Sequence, residues 1–303
     1  MARVVFWLLV VPIWLLSLLP LRAHYLFASF VSWVMSSVLR YRKDVVYINL
    51  ARSFPEYKYD KIKEISGRFY RNFADIIVEN IWMVSASSKQ IRKMGYVENP
   101  EVVKELYDKG KSIIFVLGHQ GNWEFSPHIA TFQSGNLIGF SRGLFKCAYK
   151  RQHTGFADKL MKWVRLRGEK YELIESNSIA RYVIKNKDNQ ACYFLIADQA
   201  PLPGSKFAVN FLNRETLMMN GPEMIACKTD IPVVFVNMEK EKRGRYKVRF
   251  SLITETPSAT VSGEITRKYA ALLEESICRM PENWLWSHRR WKRGIDDNVL
   301  KKD

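Results

Sequence analysis

Acidic residues are in short supply in this chain. Thirty Asp and Glu stand against 47 Lys and Arg, a formal charge of +17. Such a balance favours an anionic partner, whether nucleic acid, anionic lipid or an acidic protein. Cysteine is scarce as well. Cys147, Cys192, Cys227 and Cys278 lie far apart without a C-x-x-C pair, which argues against a metal site and fits reduced, structural thiols. Internal repeats and low-complexity linkers are absent, so neither a solenoid nor a tethered array is in view. The chain also lacks a helix-turn-helix signature and a set of aromatic stacking platforms, which removes nucleic acid from the candidate partners.

What the sequence does contain is enough apolar material for a full core. With 303 residues, 48% hydrophobic and 13% aromatic, it reads as one large α/β domain plus an appendage. Val4 to Leu21 is a stretch of 18 residues without charge, interrupted by Pro12 and Pro20, and Tyr25 to Leu39 is a second of 15. The first is long enough to span or nearly span a bilayer; the second is short for that. Trp7, Trp14 and Trp33 suit a membrane interface. A cleaved signal peptide would show a shorter apolar core and a small-x-small site, which Arg22-Ala23-His24 does not supply. Arg22, Arg40, Arg42 and Lys43 follow the apolar stretches while only Arg3 and the terminus precede them, which places the body on the cytoplasmic face. The expected division is a membrane anchor over 1–43 and the main domain over 44–303.

Beyond the anchor, helical and strand patterns alternate. Lys61 to Met83 carries Ile62, Ile65, Phe69, Phe73, Ile76 and Ile77 mostly at three- and four-residue steps, an amphipathic helix. Shorter helices are predicted over Pro100–Lys109, Ser178–Lys185, Gly221–Lys228 and Glu264–Met280. Strands are predicted over Ser112–Leu117, Leu137–Phe140, Gln190–Ile196, Val233–Asn237 and Tyr246–Ile253. The alternation predicts an α/β fold with a central, mostly parallel sheet flanked by helices.

The strand ending at Leu117 runs into Gly118-His119-Gln120-Gly121-Asn122-Trp123-Glu124. Five positions put His119 and Glu124 about 140° apart on a helix and on opposite faces of a strand, so they meet only in a turn. Gly118 and Gly121 supply the backbone freedom for one. A neutral imidazole held by a carboxylate on one nitrogen takes a proton with the other. No Ser or Cys stands beside His119 as a nucleophile. The expected chemistry is therefore activation of a hydroxyl on the substrate, with Glu124 orienting His119. The bland alternative is a turn histidine and a solvated acid at a helix start. A helix beyond the turn is expected to begin either at Ser126-Pro127 or already at Asn122.

The seven-residue block resembles the His-x4-acid motif of lysophospholipid-type acyltransferases, in the form typical of the late acyltransferases of lipid A biosynthesis. Other segments resemble that family in the same order: Tyr41-Arg42-Lys43, Asn49-Leu50, Phe54-Pro55-Glu56, Asp198-Gln199, Phe211 to Thr216, Gly221-Pro222-Glu223 and Trp284 to Lys292. Ser141-Arg142-Gly143 departs from the Tyr-Arg-Pro of many relatives. The resemblance implies a glycerolipid acyltransferase-like fold, acyl carrier protein as donor and a phosphorylated lipid A precursor as acceptor, with no cofactor and no metal. It further implies a place at the bacterial inner membrane.

Around the pair, several residues are candidates for substrate binding. The backbone of the Gly118–Asn122 turn, Gly121 and Asn122 included, would stabilise an oxyanion with Arg142. Asp198 and Gln199 follow a second buried strand and would reach the same sheet edge. Glu223 opens a helix, where an acid is also simply favourable electrostatics, and the resemblance puts it near the acceptor. Arg142, Lys146, Lys150, Arg151, Arg165 and Arg167 would hold a donor phosphate or the acidic carrier protein, or else face the membrane. His288, Arg289, Arg290, Lys292 and Arg293 among three tryptophans would grip lipid phosphate, against the plainer reading of a basic tail anchored by apolar rings. Two rival functions stay open: acylation of another lipid such as a lysophospholipid or aminolipid, and a non-enzymatic basic scaffold at the membrane.

Overall fold

The computed structural model describes residues 2–132, 144–152, 154–166 and 171–292. The expected strand Leu137–Phe140, with Arg142, Arg167 and Arg293, lies outside these residues. Two apolar helices, α1 (Ala2–Ser17) and α2 (Leu21–Trp33), open the chain, and α2 continues through a wider turn over Val34–Val38. Pro20 separates them in an extended conformation, lacking the N–H that would continue a helix. Among the described residues no single helix is long and apolar enough to cross a membrane, although the two together pass that test, bent by 115° at the break.

After α3 (Lys43–Ser53) comes the long α4 (Tyr59–Met83), whose buried face runs through Ile62, Ile65, Phe69 and Val78 as its periodicity predicts. A one-turn α5 (Ser88–Ile91) is closed by a Ser87–Gln90 capping box. The rest alternates: β1 (Gly95–Val97), α6 (Glu101–Asp108), β2 (Ile113–Leu117), a tight 3-10 stretch over Trp123–Thr131, and β3 (Phe145–Tyr149). Then follow α7 (Gly155–Leu166), β4 (Glu172–Glu175), α8 (Ile179–Lys185) and β5 (Cys192–Ile196). A small hairpin, β6 (Ala208–Asn210) and β7 (Glu215–Leu217), precedes α9 (Gly221–Thr229), β8 (Val233–Lys242), β9 (Arg245–Thr254) and α10 (Glu264–Arg279).

Among the described residues seven strands form one sheet in the order β1-β9-β8-β2-β5-β3-β4. Every neighbouring pair is parallel except β8 with β9. The predicted mostly parallel sheet is therefore present, with β9 and β1 reversed at one edge. Alternation along β2 sends Ile114 and Val116 into one core layer and Ile113, Phe115 and Leu117 into the other. Both faces are covered, which is why the sequence there is a continuous apolar run.

The short strands β1, β3 and β4 and the hairpin go beyond the sequence expectation. Their runs of three to five residues include Lys146, Glu172 and Glu175, which break any apolar signature. The element after the turn starts at Trp123 with Asn122 as its cap, so Ser126-Pro127 lies inside it.

The two N-terminal helices rest on the body. Ser85 donates to the Ser17 carbonyl at 2.8 Å, Phe6 meets Phe156 of α7 edge to face, and Lys159 lies over the Phe6 ring.

Candidate active site

Two adjacent parallel strands build the site. Leu117 at the end of β2 lies opposite Ile196 at the end of β5, so the residues two beyond each strand face one another across the carboxyl edge of the sheet. These are His119 and Asp198. His119 Nδ1 is 2.6 Å from Asp198 Oδ1, and the His119 backbone N–H donates to Oδ2 at 2.7 Å. The Trp284 indole N–H donates to the same Oδ2 at 2.7 Å. Burial alone would push the Asp198 carboxyl up, but the facing His119 ring, its N–H and Trp284 outweigh it and bring the pKa down to about 2.

An ionised Asp198 accepts from Nδ1–H, which leaves the lone pair on Nε2. The Gln199 amide nitrogen stands 3.2 Å from that Nε2, in the place an incoming hydroxyl would take. Trp123 packs edge to face against the imidazole with ring centres 5.0 Å apart.

Glu124 is not the carboxylate on His119, contrary to the expectation from the motif. Its two oxygens are gripped by Arg165 of α7, Nε to Oε2 at 2.8 Å and Nη2 to Oε1 at 2.5 Å. The reason is geometric: Glu124 enters the tight helical stretch that starts at Trp123, which turns it away, while the sheet delivers Asp198 from 79 residues downstream. The Glu124–Arg165 bridge lines two cavities. One is bordered by Trp123, Cys147, Tyr149, Leu173, Phe194 and Ile196. The other lies toward Asn80, Met83, His128, Met161 and Val164.

The turn is held rigidly. Gly121 has φ +55° and a Cβ there would lie 2.6 Å from the Met238 carbonyl oxygen, so only glycine fits. Its N–H donates to the Asn283 carbonyl at 3.1 Å. Asn122 is fully buried; its Oδ1 accepts from Glu124 N at 3.2 Å and its Nδ2 donates to Glu79 at 2.8 Å. Gly121 and Asn122 therefore shape the turn, and the N–H groups of His119 and Gly121, expected at an oxyanion, already have partners.

The full length of residues 1–293 matches the family model described as bacterial lipid A biosynthesis acyltransferase. The chain belongs to that family. This acyltransferase is 22% identical over 293 residues to the lipid A biosynthesis palmitoleoyltransferase of Escherichia coli K12, covering 95% of this chain and 91% of the relative. The lipid A biosynthesis acyltransferase of Shigella flexneri is similar to the same extent, 22% over 293 residues.

Further candidate residues of the acyltransferase stand elsewhere. Glu223 is buried at the start of α9 and accepts from Gly263 N at 2.5 Å, from Thr266 N at 3.0 Å and from the Thr266 hydroxyl, fastening α9 to α10. Arg290 is buried and donates to the Leu217 carbonyl at 2.6 Å, whereas Arg289 is exposed. Burial lowers the Arg290 pKa to about 10. Trp284 and Trp286 are core residues and not interfacial ones. Their segment is clamped by Asn49, which donates to the carbonyls of Trp286 and His288, and by Arg42, which donates to that of Ser287. The motif residues Arg42 and Asn49 thus act at a distance, holding the strap that delivers Trp284 to Asp198. Lys146 pairs with Glu172 at 2.9 Å.

Glu79 is a site-building residue absent from the sequence expectation, and Trp284, expected at an interface, instead holds Asp198. Glu79 had one signal, an acid inside the apolar stretch from Ile76 to Ile81. It is fully buried, and burial pushes its carboxyl pKa up.

Proposed function

We propose that this chain moves a fatty acyl group from the thioester of acyl carrier protein to a hydroxyl of a lipid A precursor at the cytoplasmic face of the bacterial inner membrane. The single observation that carries the chemistry is His119 held by Asp198 through Nδ1 with Nε2 left to accept a proton. The acceptor hydroxyl displaces Gln199 from Nε2, gives its proton to His119 and attacks the thioester carbonyl. The C–S bond breaks as the intermediate collapses, and the imidazolium returns the proton to the departing thiolate. Asp198 stabilises the imidazolium without itself being protonated.

Glu124 keeps a part in this reading by fixing Arg165 at the cavity wall, where the guanidinium is aimed at the polar end of a bound donor. The apolar lining beyond them suits an acyl chain. Residues 1–43 seat the 44–303 body on the membrane. In support, Leu8, Leu26, Phe27, Phe30 and Trp33 are all more than half exposed, and a charge of +17 favours an anionic surface. Exposed Arg289 remains a candidate for lipid phosphate.

Incubation of the purified protein with acyl carrier protein thioester and a lipid A precursor, followed by mass spectrometry, tests the reading. One added acyl chain is expected. His119→Ala should lower kcat by about 10²-fold or more, since general-base contributions run to roughly 10²–10⁴. Transfer to a lysophospholipid in preference to the precursor would overturn the acceptor assignment.

A further inference from the structure

The fully buried Glu79 of α4 joins two parts of the molecule that otherwise have separate tasks. Its Oε2 accepts from the Asn122 amide at 2.8 Å and from the Tyr246 hydroxyl at 2.6 Å, and its Oε1 accepts from the Tyr25 hydroxyl of α2 at 2.7 Å. On one side is the turn that carries His119. On the other is the helix whose Leu26, Phe27, Phe30 and Trp33 stand exposed.

The contact with Asn122 sets more than a distance. Because Oε2 accepts two hydrogen bonds, it demands the NH2 end of the Asn122 amide, and this leaves Asn122 Oδ1 facing the Glu124 N–H. A flipped amide would set NH2 against N–H, uncap the helical stretch at Trp123 and loosen Glu124 and its Arg165 partner. The orientation of the turn therefore depends on where Glu79 stands.

Where Glu79 stands depends in turn on α2. Tyr25 is held by that carboxylate and by Arg243, which donates to the Tyr25 carbonyl at 3.3 Å and to Ser29 Oγ at 3.0 Å. Arg243 is tied back to α4 through Asp75 at 3.0 Å, and Lys240 reaches the same Asp75 at 2.5 Å. Beneath α2 an apolar cluster of Ala28, Ala74 and Val78, with Tyr25 and Val31 against it, packs beside these polar contacts. The outer apolar face of α2 is exposed at Leu26, Phe27, Phe30 and Trp33, so a lipid surface that takes it up adds to the forces that hold α2 in place.

We propose that Glu79 is a positioning residue that couples insertion of α1 and α2 into a lipid surface to the ordering of the His119–Glu124 turn. The coupling rests on the membrane and acyl-transfer readings above, and one measurement separates it from the second of these. Amide hydrogen exchange over residues 118–126 of the full-length protein is followed as vesicles of phosphatidylethanolamine and phosphatidylglycerol are added, alongside kcat and KM for acyl transfer. In the wild type, vesicles should slow exchange in this segment and raise kcat while leaving the donor KM in place.

Tyr25→Phe removes the one hydroxyl that links α2 to Glu79, and should diminish both vesicle responses by about fivefold, the scale of one buried hydrogen bond. Tyr246→Phe removes a sheet contact to the same carboxylate and should retain them. Unchanged exchange in the wild type on vesicle addition overturns the proposal, as does equal loss of response in the two variants, which makes Glu79 merely structural. A wild type that shows the exchange response but transfers no acyl group leaves the coupling standing and sinks the acyl-transfer reading instead.

Discussion

Two regions of this chain carry three tryptophans each, yet they end in opposite environments. In the N-terminal pair of helices Trp7 and Trp33 are 55% and 56% exposed, while Trp284 and Trp286 of the C-terminal strap are 3% and 0% exposed. Tryptophan content does not separate them; hydrogen bonding does. Each strap indole has an acceptor: Asp198 for Trp284, the Pro281 carbonyl for Trp286 and the Thr216 hydroxyl for Trp291. A tryptophan is stable in a core once its N–H is satisfied, and the helices α1 and α2 offer mainly apolar neighbours. The strap is thus part of the site, and the helices are free to be part of an interface.

That contrast can be broken most directly by truncation. Trp284→Ala should cost about 3–5 kcal/mol of stability, as for other large core rings. Trp33→Ala should stay within about 0.5 kcal/mol and weaken binding to anionic vesicles instead. Urea unfolding and vesicle sedimentation of the two variants measure both; equal losses of stability would erase the distinction.

A smaller effect separates neighbours within the strap. Arg290→Gln withdraws a buried donor from the Leu217 carbonyl and should destabilise by about 1–3 kcal/mol. Arg289→Gln should leave stability within about 0.5 kcal/mol and, on the phosphate reading, reduce use of a phosphorylated acceptor more than of a dephosphorylated one. A lowered melting temperature in the Arg289 variant would make that residue structural too.

The smallest effect is one of pH. Burial lowers the His288 pKa from 6.5 to about 4. The unfolded chain therefore takes up this proton before the folded one, so the contribution of His288 to stability is present above about pH 6.5 and fades as pH falls toward about 4. Asp198, with a pKa of about 2, acts lower still, its contribution present above the ordinary value of 3.8 and lost as pH falls through about 2. Replacing His288 with Gln should flatten the dependence of melting temperature on pH between 7 and 4.5, and an unaltered slope would assign the acid sensitivity to other groups.

The sequence made β2 and its turn legible because a continuous apolar run followed by two glycines has few other meanings. It also made the parallel sheet legible, through alternation of apolar runs with amphipathic stretches such as α4. The partner of His119 was hidden, because Asp198 reaches it only when β5 lies beside β2, a pairing that no local pattern states. Glu124 looked like that partner since proximity in sequence is visible and the direction of a tight helix is not. Glu79 and Asp75 were hidden in another way: acids four apart on a long helix normally face water, and here they face Lys240, Tyr246 and Tyr25. Tryptophans in a basic segment suggested an interface because their acceptors, Asp198 and Thr216, lie far off in the chain.

The strap also imposes an order in time. Asn283 and Trp284 close hydrogen bonds on Gly121 and Asp198, so the site made by β2 and β5 is unfinished until roughly 160 further residues beyond Glu124 have been synthesised, about 8–32 s at roughly 5–20 residues per second. The apolar helices precede both strands of the site in the chain, and the residue that steadies Asp198 follows them. A nascent chain that ends short of Trp284 accordingly lacks the bond that steadies Asp198.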